Sequence, residues 1–382
     1  YKRQVCVLLA LMNSEEPLNI LLVASSVGGG GAERVAVNLA AEMTAFGHDV
    51  AIFYWDEKGD ENYELDARIT LYKPPSRLLP VRILGLRSLL KKLRVDVVIG
   101  IADMANVTAW LALSRLPNAP PFIASVHSDL RVRDAAMGLS FKTRFLRRLH
   151  RQACNHAASV IAVSDGARES LIEYFRLRPG SVIRIYNPVL QDANSLARRS
   201  LTGGSVRIIA VGRLTHAKNY PLMIQSIGML IHRLNVDCHL DIYGTGALTS
   251  QLQALIDDLD LGAHISLRGF VKNLPEKMAE SDVFLQSSSW EGFGNVLVEA
   301  LYAGLSVVAA DCPSGPREVL SDGKFGVLAA AGNPLALATA LAEELRNPLP
   351  VDESALREHL RQFTTPRITA EYLQVVQKLV HA

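Results

Sequence analysis

The sequence predicts an α/β protein made of two doubly wound, Rossmann-like domains, each on a parallel sheet, facing each other across a cleft. Three observations lead there. The chain has 382 residues, more than a single hydrophobic core ordinarily organises. Short apolar runs alternate with helix-like stretches along most of its length, the pattern of a parallel sheet covered on both faces. The alternation stops once, in a polar stretch at 191–205 that holds Asp192, Asn194, Arg198, Arg199 and the pair Gly203-Gly204, and then restarts.

In the first half, strands are expected at 19–25 (NILLVAS), 49–54, 96–101, Phe122–Val126, 160–163 and 181–185, with a helix over 32–45. In the second half they are expected at Val206–Val211, Cys238–Tyr243, 264–269, Val283–Gln286 and Ser306–Ala310. A closing helix is expected over 366–380. These runs place an N-terminal domain at 18–190, with the tail at 366–382 packing back on it, and a C-terminal domain at 205–365. Ligands in such sheets sit beyond the carboxyl ends of the strands.

Bulk composition excludes several classes. Charged residues are 20% of the chain and hydrophobic ones 49%, so it is not a disordered protein. A net charge of +2 gives no general argument for nucleic-acid binding. Cys6, Cys154, Cys238 and Cys312 are isolated, which speaks against a disulfide framework or a zinc site and suits a reducing cytoplasm. The chain opens on Tyr1, so an upstream native start is expected; the apolar run 5–12 is too short to span a bilayer.

The most informative window is 287–303, SSSWEGFGNVLVEALYA. Glu291 and Glu299 flank seven residues, and Gly292-Phe293-Gly294-Asn295 forms a turn before a helix. Free N–H groups and the positive end of a helix dipole suit a phosphate. Carboxylates beside them repel phosphate but accept hydrogen bonds from hydroxyls. One ligand that satisfies both is a nucleotide sugar. In the second window, 211–221 (VGRLTHAKNYP), Gly212, Arg213 and Lys218 follow a strand, and the two cations suit a diphosphate that gathers charge as it leaves. A third window, 241–247 (DIYGTGA), carries Gly244 and Gly246, which permit close backbone approach. Arg268 and Val271, in RGFV, end another strand and line a base pocket.

Taken together, these windows resemble the retaining GT-B glycosyltransferases of family 4, also called group 1. The resemblance covers nearly the whole chain and is strongest over 206–320, including the segment DCPSGPRE at 311–318. It implies a hexosyltransferase that moves a sugar from a nucleotide-diphosphate donor to an acceptor alcohol. Arg213 and Lys218 match the pair that binds the donor diphosphate. Glu291 matches the acid that contacts donor-sugar hydroxyls, and Glu299 the one that holds the ribose diol. Phe293, Gly294 and Asn295 match the loop whose amides reach sugar and phosphate, and the backbone around Arg268 and Val271 the segment that frames the base. Gly30 and Gly31 fall in the glycine-rich loop near the diphosphate. His127 matches a histidine that faces the donor sugar, with Asp129 and Arg131 as acceptor-site candidates.

The resemblance also implies retention of configuration. No nucleophile is evident beneath the anomeric carbon, which favours a front-face, dissociative substitution without a metal or other cofactor. The segment 312–318 resembles that of enzymes using UDP-hexoses or UDP-N-acetylhexosamines, with GDP-mannose as the alternative donor and a non-catalytic nucleotide-sugar-binding subunit as the alternative role. The expected acceptor is a glycan or lipid-linked glycan in surface polysaccharide or oligosaccharide biosynthesis. A dinucleotide oxidoreductase is disfavoured, because the glycines at 28–31 lack the G-x-G-x-x-G spacing and Asp49 precedes its strand.

Two basic stretches read as amphipathic helices. One holds Arg77, Arg82, Arg87, Lys91, Lys92 and Arg94; the other holds Lys142, Arg144, Arg147, Arg148 and Arg151 among Phe141, Phe145, Leu146 and Leu149. Both are expected to lie on anionic lipid at the inner face of the cytoplasmic membrane, making the protein cytoplasmic and peripheral.

Overall fold

The computed structural model describes residues 16–57, 63–138, 140–194 and 205–381. Cys6, the apolar run at 5–12 and the centre of the polar break lie outside them. The chain divides into two compact units, 1–191 with 362–382, and 192–361.

In the first unit the elements are β1 (Asn19–Val23), α1 (Gly31–Ala45), β2 (Asp49–Phe53), β3 (Thr70–Tyr72), α2 (Leu79–Lys92), β4 (Val97–Ile101), α3 (Asp103–Leu113), β5 (Phe122–Val126), α4 (Leu130–Met137), α5 (Phe141–His156), β6 (Ser159–Ala162), α6 (Asp165–Tyr174) and β7 (Val182–Arg184). Seven strands form one parallel sheet in the order β3-β2-β1-β4-β5-β6-β7. The inner strands are apolar on both faces, as a sheet sandwiched between helices requires: β4 and β5 are buried at every residue. Ser164, read as a helix start, accepts a hydrogen bond from the Ala167 N–H at 3.0 Å and caps α6.

The second unit contains β8 (Val206–Val211), α7 (Tyr220–His232), β9 (Cys238–Tyr243), α8 (Thr249–Asp258), β10 (Ile265–Gly269), α9 (Leu274–Ala279), β11 (Val283–Gln286), α10 (Asn295–Tyr302), β12 (Ser306–Ala310), α11 (Pro316–Val319), β13 (Val327–Ala329), α12 (Pro334–Arg346) and α13 (Glu353–Leu360). Its six parallel strands run β10-β9-β8-β11-β12-β13. The core gathers Ile208, Leu240, Ile242 and Leu285 of the sheet with Ile224 and Ile227 of α7 and Leu341 of α12, all buried.

The last helix, α14 (Thr365–Val380), belongs to the first unit. The return is made at Phe363, whose carbonyl accepts from the N–H groups of Val189 at 3.0 Å and Leu190 at 3.2 Å; the Leu190 carbonyl then accepts from Thr365 at 2.7 Å. That short ladder draws 362–365 into the first unit ahead of the helix itself.

Two strands were not expected from the sequence, Thr70–Tyr72 and Val327–Ala329. Each has three residues and lies at an edge of its sheet. An edge strand needs no apolar run, because one side of it is not covered by a neighbour. In both sheets the order reverses beside the first strand of the unit, between β1 and β4 and between β8 and β11. These are the topological switch points, where loops on either side part and leave room for a ligand.

Candidate active site

In the second unit the loops after β8 and β11 flank the switch point. The Lys218 ammonium meets Glu291 Oε1 at 2.6 Å. The same oxygen accepts from Gln286 Nε2 at 3.0 Å and from Ser288 Oγ at 2.7 Å. Three donors therefore converge on one carboxylate oxygen, and Glu291 is 9% exposed. Donors of this kind offset the cost of burying a carboxylate. Among the described residues Oε2 accepts no hydrogen bond.

The loops carrying these groups are pinned to one another by backbone contacts. Ser287 Oγ donates to the carbonyls of Lys218 and Asn219, at 2.9 and 3.0 Å. The Ser289 N–H donates to the Ala217 carbonyl at 2.8 Å, and Tyr220 Oη donates to the Gly212 carbonyl at 3.1 Å. Gly244 has φ +141°, and a Cβ there would lie 2.0 Å from the Gly212 carbonyl oxygen. Gly315 has φ +101°, and a Cβ there would lie 2.0 Å from the carbonyl oxygen of Phe293. At both positions only glycine lets two loops touch. The Gly244 N–H donates to the Gly269 carbonyl at 2.8 Å, which extends the row to the end of β10.

Around this centre, Arg213 is exposed and makes no ion pair among the described residues. Phe293 is buried beneath the turn. Gly294, in the left-handed region at φ 95°, precedes the first turn of α10, whose leading residue is Asn295. Glu299 stands half-buried in the next turn of that helix. Gly212, Lys218, Gly244, Glu291, Phe293, Gly294, Asn295 and Glu299 thus share one end of one sheet, as expected. Arg268 and Val271 lie at the end of β10, two strands from β8. The Arg268 guanidinium pairs with Asp241 at 2.6 Å. Burial pushes the Cys312 thiol up, and Glu291 adds to it, which keeps this sulfur a thiol beside the carboxylate.

The first unit has its own cluster at its switch point. Gly30 precedes α1 in extended conformation and Gly31 begins the helix. Glu33 accepts from Ser25 Oγ at 2.6 Å, which ties that helix start to the strand before it. After β4 comes Ala102, with φ 73°, a strained conformation for a residue with a side chain. Asp103 follows and accepts from Arg133 at 2.6 Å and Arg147 at 3.1 Å; Arg147 also binds Asp134 at 2.6 and 2.7 Å. Burial alone would raise the Asp103 carboxyl, but His150, Arg133 and Arg147 outweigh it and hold the group well below the usual range.

His127 lies after β5, and its Nε2 is 2.9 Å from Ser125 Oγ. Burial pushes the ring down to about 4, with the charge of Asp103 and the Asn187 amide acting the other way. His127 is therefore a neutral imidazole at physiological pH. Its neighbour Asp129 is 1% exposed and accepts from the Val132 N–H at 3.1 Å, so it is the cap of α4. Arg131 is exposed and ion-paired with Glu173. The structure gives both acceptor-site candidates these local jobs.

The basic stretches also differ from their sequence reading. Arg82 is buried, 4.1 Å over the Trp55 ring, and Arg87 donates to the carbonyls of Leu111 and Ala112. Arg147 is consumed by Asp103 and Asp134. What remains outward on α5 is Lys142, Arg144, Arg148 and Arg151, with Phe141 at 90% and Phe145 at 57% exposure. The partners of Arg82, Arg87 and Arg147 lie 13 to 44 residues away in the sequence, outside the stretches that hold the arginines.

Sequence reading singled out none of Gln286, Ser288, Ser125 and Asp103, and took in Gly315 only as part of the segment 311–318. Gln286 carried a signal, as the polar end of a strand that is otherwise apolar and buried throughout. Among the described residues no group of three or more His, Cys, Asp or Glu is placed to hold a metal.

Comparison with known proteins identifies the family. The model for glycosyl transferases group 1 matches residues 195–365, and that for glycosyltransferase family 4 matches 29–191. The chain belongs to this glycosyltransferase family. It is a transferase with the GT-B fold. The protein is 34% identical over 177 residues to the N-acetylgalactosamine-N,N'-diacetylbacillosaminyl-diphospho-undecaprenol 4-alpha-N-acetylgalactosaminyltransferase of Campylobacter jejuni, covering 46% of this chain and 47% of that one. That match spans about half the relative's length. A second Campylobacter jejuni relative is 25% identical over 96% of this chain and 100% of its own. It is named as an alpha-1,4-N-acetyl-D-galactosaminyltransferase acting on GalNAc-alpha-(1->4)-GalNAc-alpha-(1->3)-diNAcBac-PP-undecaprenol. Among solved structures, Anabaena HepE in complex with UDP and glucose superposes with a TM-score of 0.76 at 17% identity, covering 95% of this glycosyltransferase and 100% of that chain. At that identity the likeness is one of fold.

Proposed function

We propose that this glycosyltransferase moves a hexose or N-acetylhexosamine from a UDP-sugar, with retention, to a glycan carried on a lipid diphosphate during surface polysaccharide or oligosaccharide assembly. The observation that carries the reading is the clamp on Glu291: three donors hold one oxygen and leave the other for a sugar hydroxyl, in the loop before α10. Lys218 and Arg213 then face the diphosphate, and the Gly294-Asn295 turn directs backbone N–H groups toward it. Glu299 takes the ribose diol. The N-acetylgalactosaminyl transfer and the diphospho-undecaprenol acceptors named for two relatives support the donor and acceptor classes.

In the proposed step the bond from the anomeric carbon to the diphosphate oxygen breaks, and the acceptor oxygen bonds to the same face. The leaving diphosphate takes the acceptor's proton. Its charge is met by Arg213, Lys218 and the start of α10, and the scheme calls on no metal. His127, being neutral, serves as a hydrogen-bonding group rather than an acid.

The outward face of α5 supports a peripheral contact with anionic lipid, since its exposed phenylalanines and cations suit the headgroup boundary. No described helix is long and apolar enough to cross a membrane.

The test is calorimetric binding of UDP and of GDP, in parallel and without added metal, to the wild type and to Glu299→Ala. UDP binding that weakens in the variant is the expected result. A preference for GDP replaces the donor class, and binding of neither nucleotide removes the donor-site assignment.

A further inference from the structure

The outward side of α5 changes character along its length. Phe141 and Phe145 are exposed at its start, and Met137 is exposed just ahead of it. Phe145, Arg148 and Gln152 follow Phe141 at steps of four, three and four residues, so all four share one stripe of the helix. That stripe is aromatic over its first turns and polar afterwards. A helix that lies flat on lipid keeps an apolar face along its whole length, whereas α5 has one at a single end.

The polar end of the stripe borders a cavity of ≈ 530 Å³. Arg147, Arg148, Arg151, Gln152 and Asn155 line it from α5, and Tyr174 and Phe175 close it from the end of α6. Its charges are not balanced. Arg147 is held by Asp103 and Asp134, and Tyr174 Oη donates to Asp134 at 3.1 Å. Arg148 and Arg151 are exposed and make no ion pair or side-chain hydrogen bond among the described residues, and no carboxylate lines the cavity. Two guanidiniums three residues apart on a helix are near enough to share one tetrahedral oxyanion. The volume is that of a small-molecule site rather than of a bare ion, and the Gln152 amide can both donate to and accept from hydroxyls beside a phosphate. Along the axis, Arg148 and Arg151 stand about 4.5 and 9 Å beyond Phe145. That interval matches the depth of about 5–10 Å to which interfacial apolar side chains enter the boundary between headgroups and acyl chains.

We propose that this cavity is a headgroup site for one anionic phospholipid, with Arg148 and Arg151 sharing its phosphate while Phe141 and Phe145 enter the acyl boundary. The lipid as source rests on the peripheral contact proposed above. The anion site does not, and neither depends on the donor site. α5 then meets the bilayer by its first turns instead of along its side.

The experiment is co-sedimentation of the full-length protein with vesicles of phosphatidylcholine alone and of phosphatidylcholine mixed with phosphatidylglycerol. Arg148→Gln with Arg151→Gln is compared with Lys142→Gln with Arg144→Gln, which takes the same charge from the same helix outside the cavity. Wild type is expected on the mixed vesicles. The control pair should lose what diffuse attraction supplies, and the cavity pair about tenfold more, the loss of hydrogen bonds aimed at a charged oxygen. Equal losses in the two pairs, or a wild type that binds neither vesicle, overturn the proposal. Calorimetry with inorganic phosphate separates the sources: phosphate binding abolished in the cavity pair, with vesicle partition unchanged in it, assigns the site to a free anion and overturns the lipid. UDP binding is measured on the same samples. If UDP binding is absent and the cavity pair still loses partition, the lipid site stands and the donor reading falls. UDP binding retained with equal losses strikes the lipid site alone.

Discussion

The two switch points are wired in different ways. In the second unit, Lys218 from the loop after β8 meets Gln286, Ser288 and Glu291 from the end of β11 and the loop after it, around one ion pair. In the first unit, His127 is reached through a neutral hydroxyl chain that ends on the last helix, and the charges sit apart, in the Asp103, Arg133 and Arg147 group. The same strand order supports both. The difference teaches that a parallel sheet fixes where polar groups gather, while the side chains placed there decide whether they meet as an ion pair or as a chain of hydroxyls.

The sharpest way to break that comparison is at the charges. Glu291→Gln and Lys218→Ala should each reduce transfer by on the order of a hundredfold or more in steady-state assays, since each removes an oriented charge from a water-poor site. If either keeps wild-type turnover, the charged machinery is not in the second unit. Next comes the loop contact. Gly315→Ala places a methyl group against the Phe293 carbonyl at a positive φ and should cost on the order of 3 kcal/mol in urea unfolding. An unchanged midpoint would mean the two loops do not touch.

Gln286→Leu isolates one arm of the clamp. It keeps size and burial but leaves Glu291 with two donors, and kcat should fall about tenfold with folding retained. A value equal to wild type would show that Lys218 and Ser288 suffice.

Acid stability separates the units from another side. Burial holds the His127 and His150 rings down to about 4 in the folded chain, against 6.5 ordinarily. Between those values the unfolded chain binds protons that the folded chain refuses. Stability is therefore full above pH 6.5 and declines as pH falls toward 4, by up to about 1.4 kcal/mol per pH unit for each histidine. Urea midpoints at pH 7.5 and 5 measure it, and His150→Gln should flatten the slope. The smallest effect concerns lipid. Phe141→Ser with Phe145→Ser should lower partition onto anionic vesicles about tenfold without altering UDP binding. Equal partition would remove α5 as the contact.

Much of this was legible in the sequence because it is local. Strands such as Phe122–Val126, Val283–Gln286 and Ser306–Ala310 were readable to the residue, since a buried parallel strand is largely apolar on both faces and its ends are marked by turns. The three-residue strands Thr70–Tyr72 and Val327–Ala329 were not, because an edge strand is defined by its neighbour rather than by its own pattern. The acid spacing of Glu291 and Glu299 and the cations Arg213 and Lys218 lie in windows short enough to be read as chemistry.

What tertiary structure alone decided is which polar groups meet across long separations. Gln286 looked like a strand end until it was found on Glu291. Arg82, Arg87 and Arg147 read as basic surface, whereas a tryptophan ring, two backbone carbonyls and two aspartates hold them. Nothing in the sequence joins Ser125 to Tyr372. The physical reason is the same in each case. Apolar periodicity is set by the backbone repeat and repeats within a few residues, whereas a buried hydrogen bond or ion pair is satisfied by whatever the fold brings within about 3 Å, however distant in the chain.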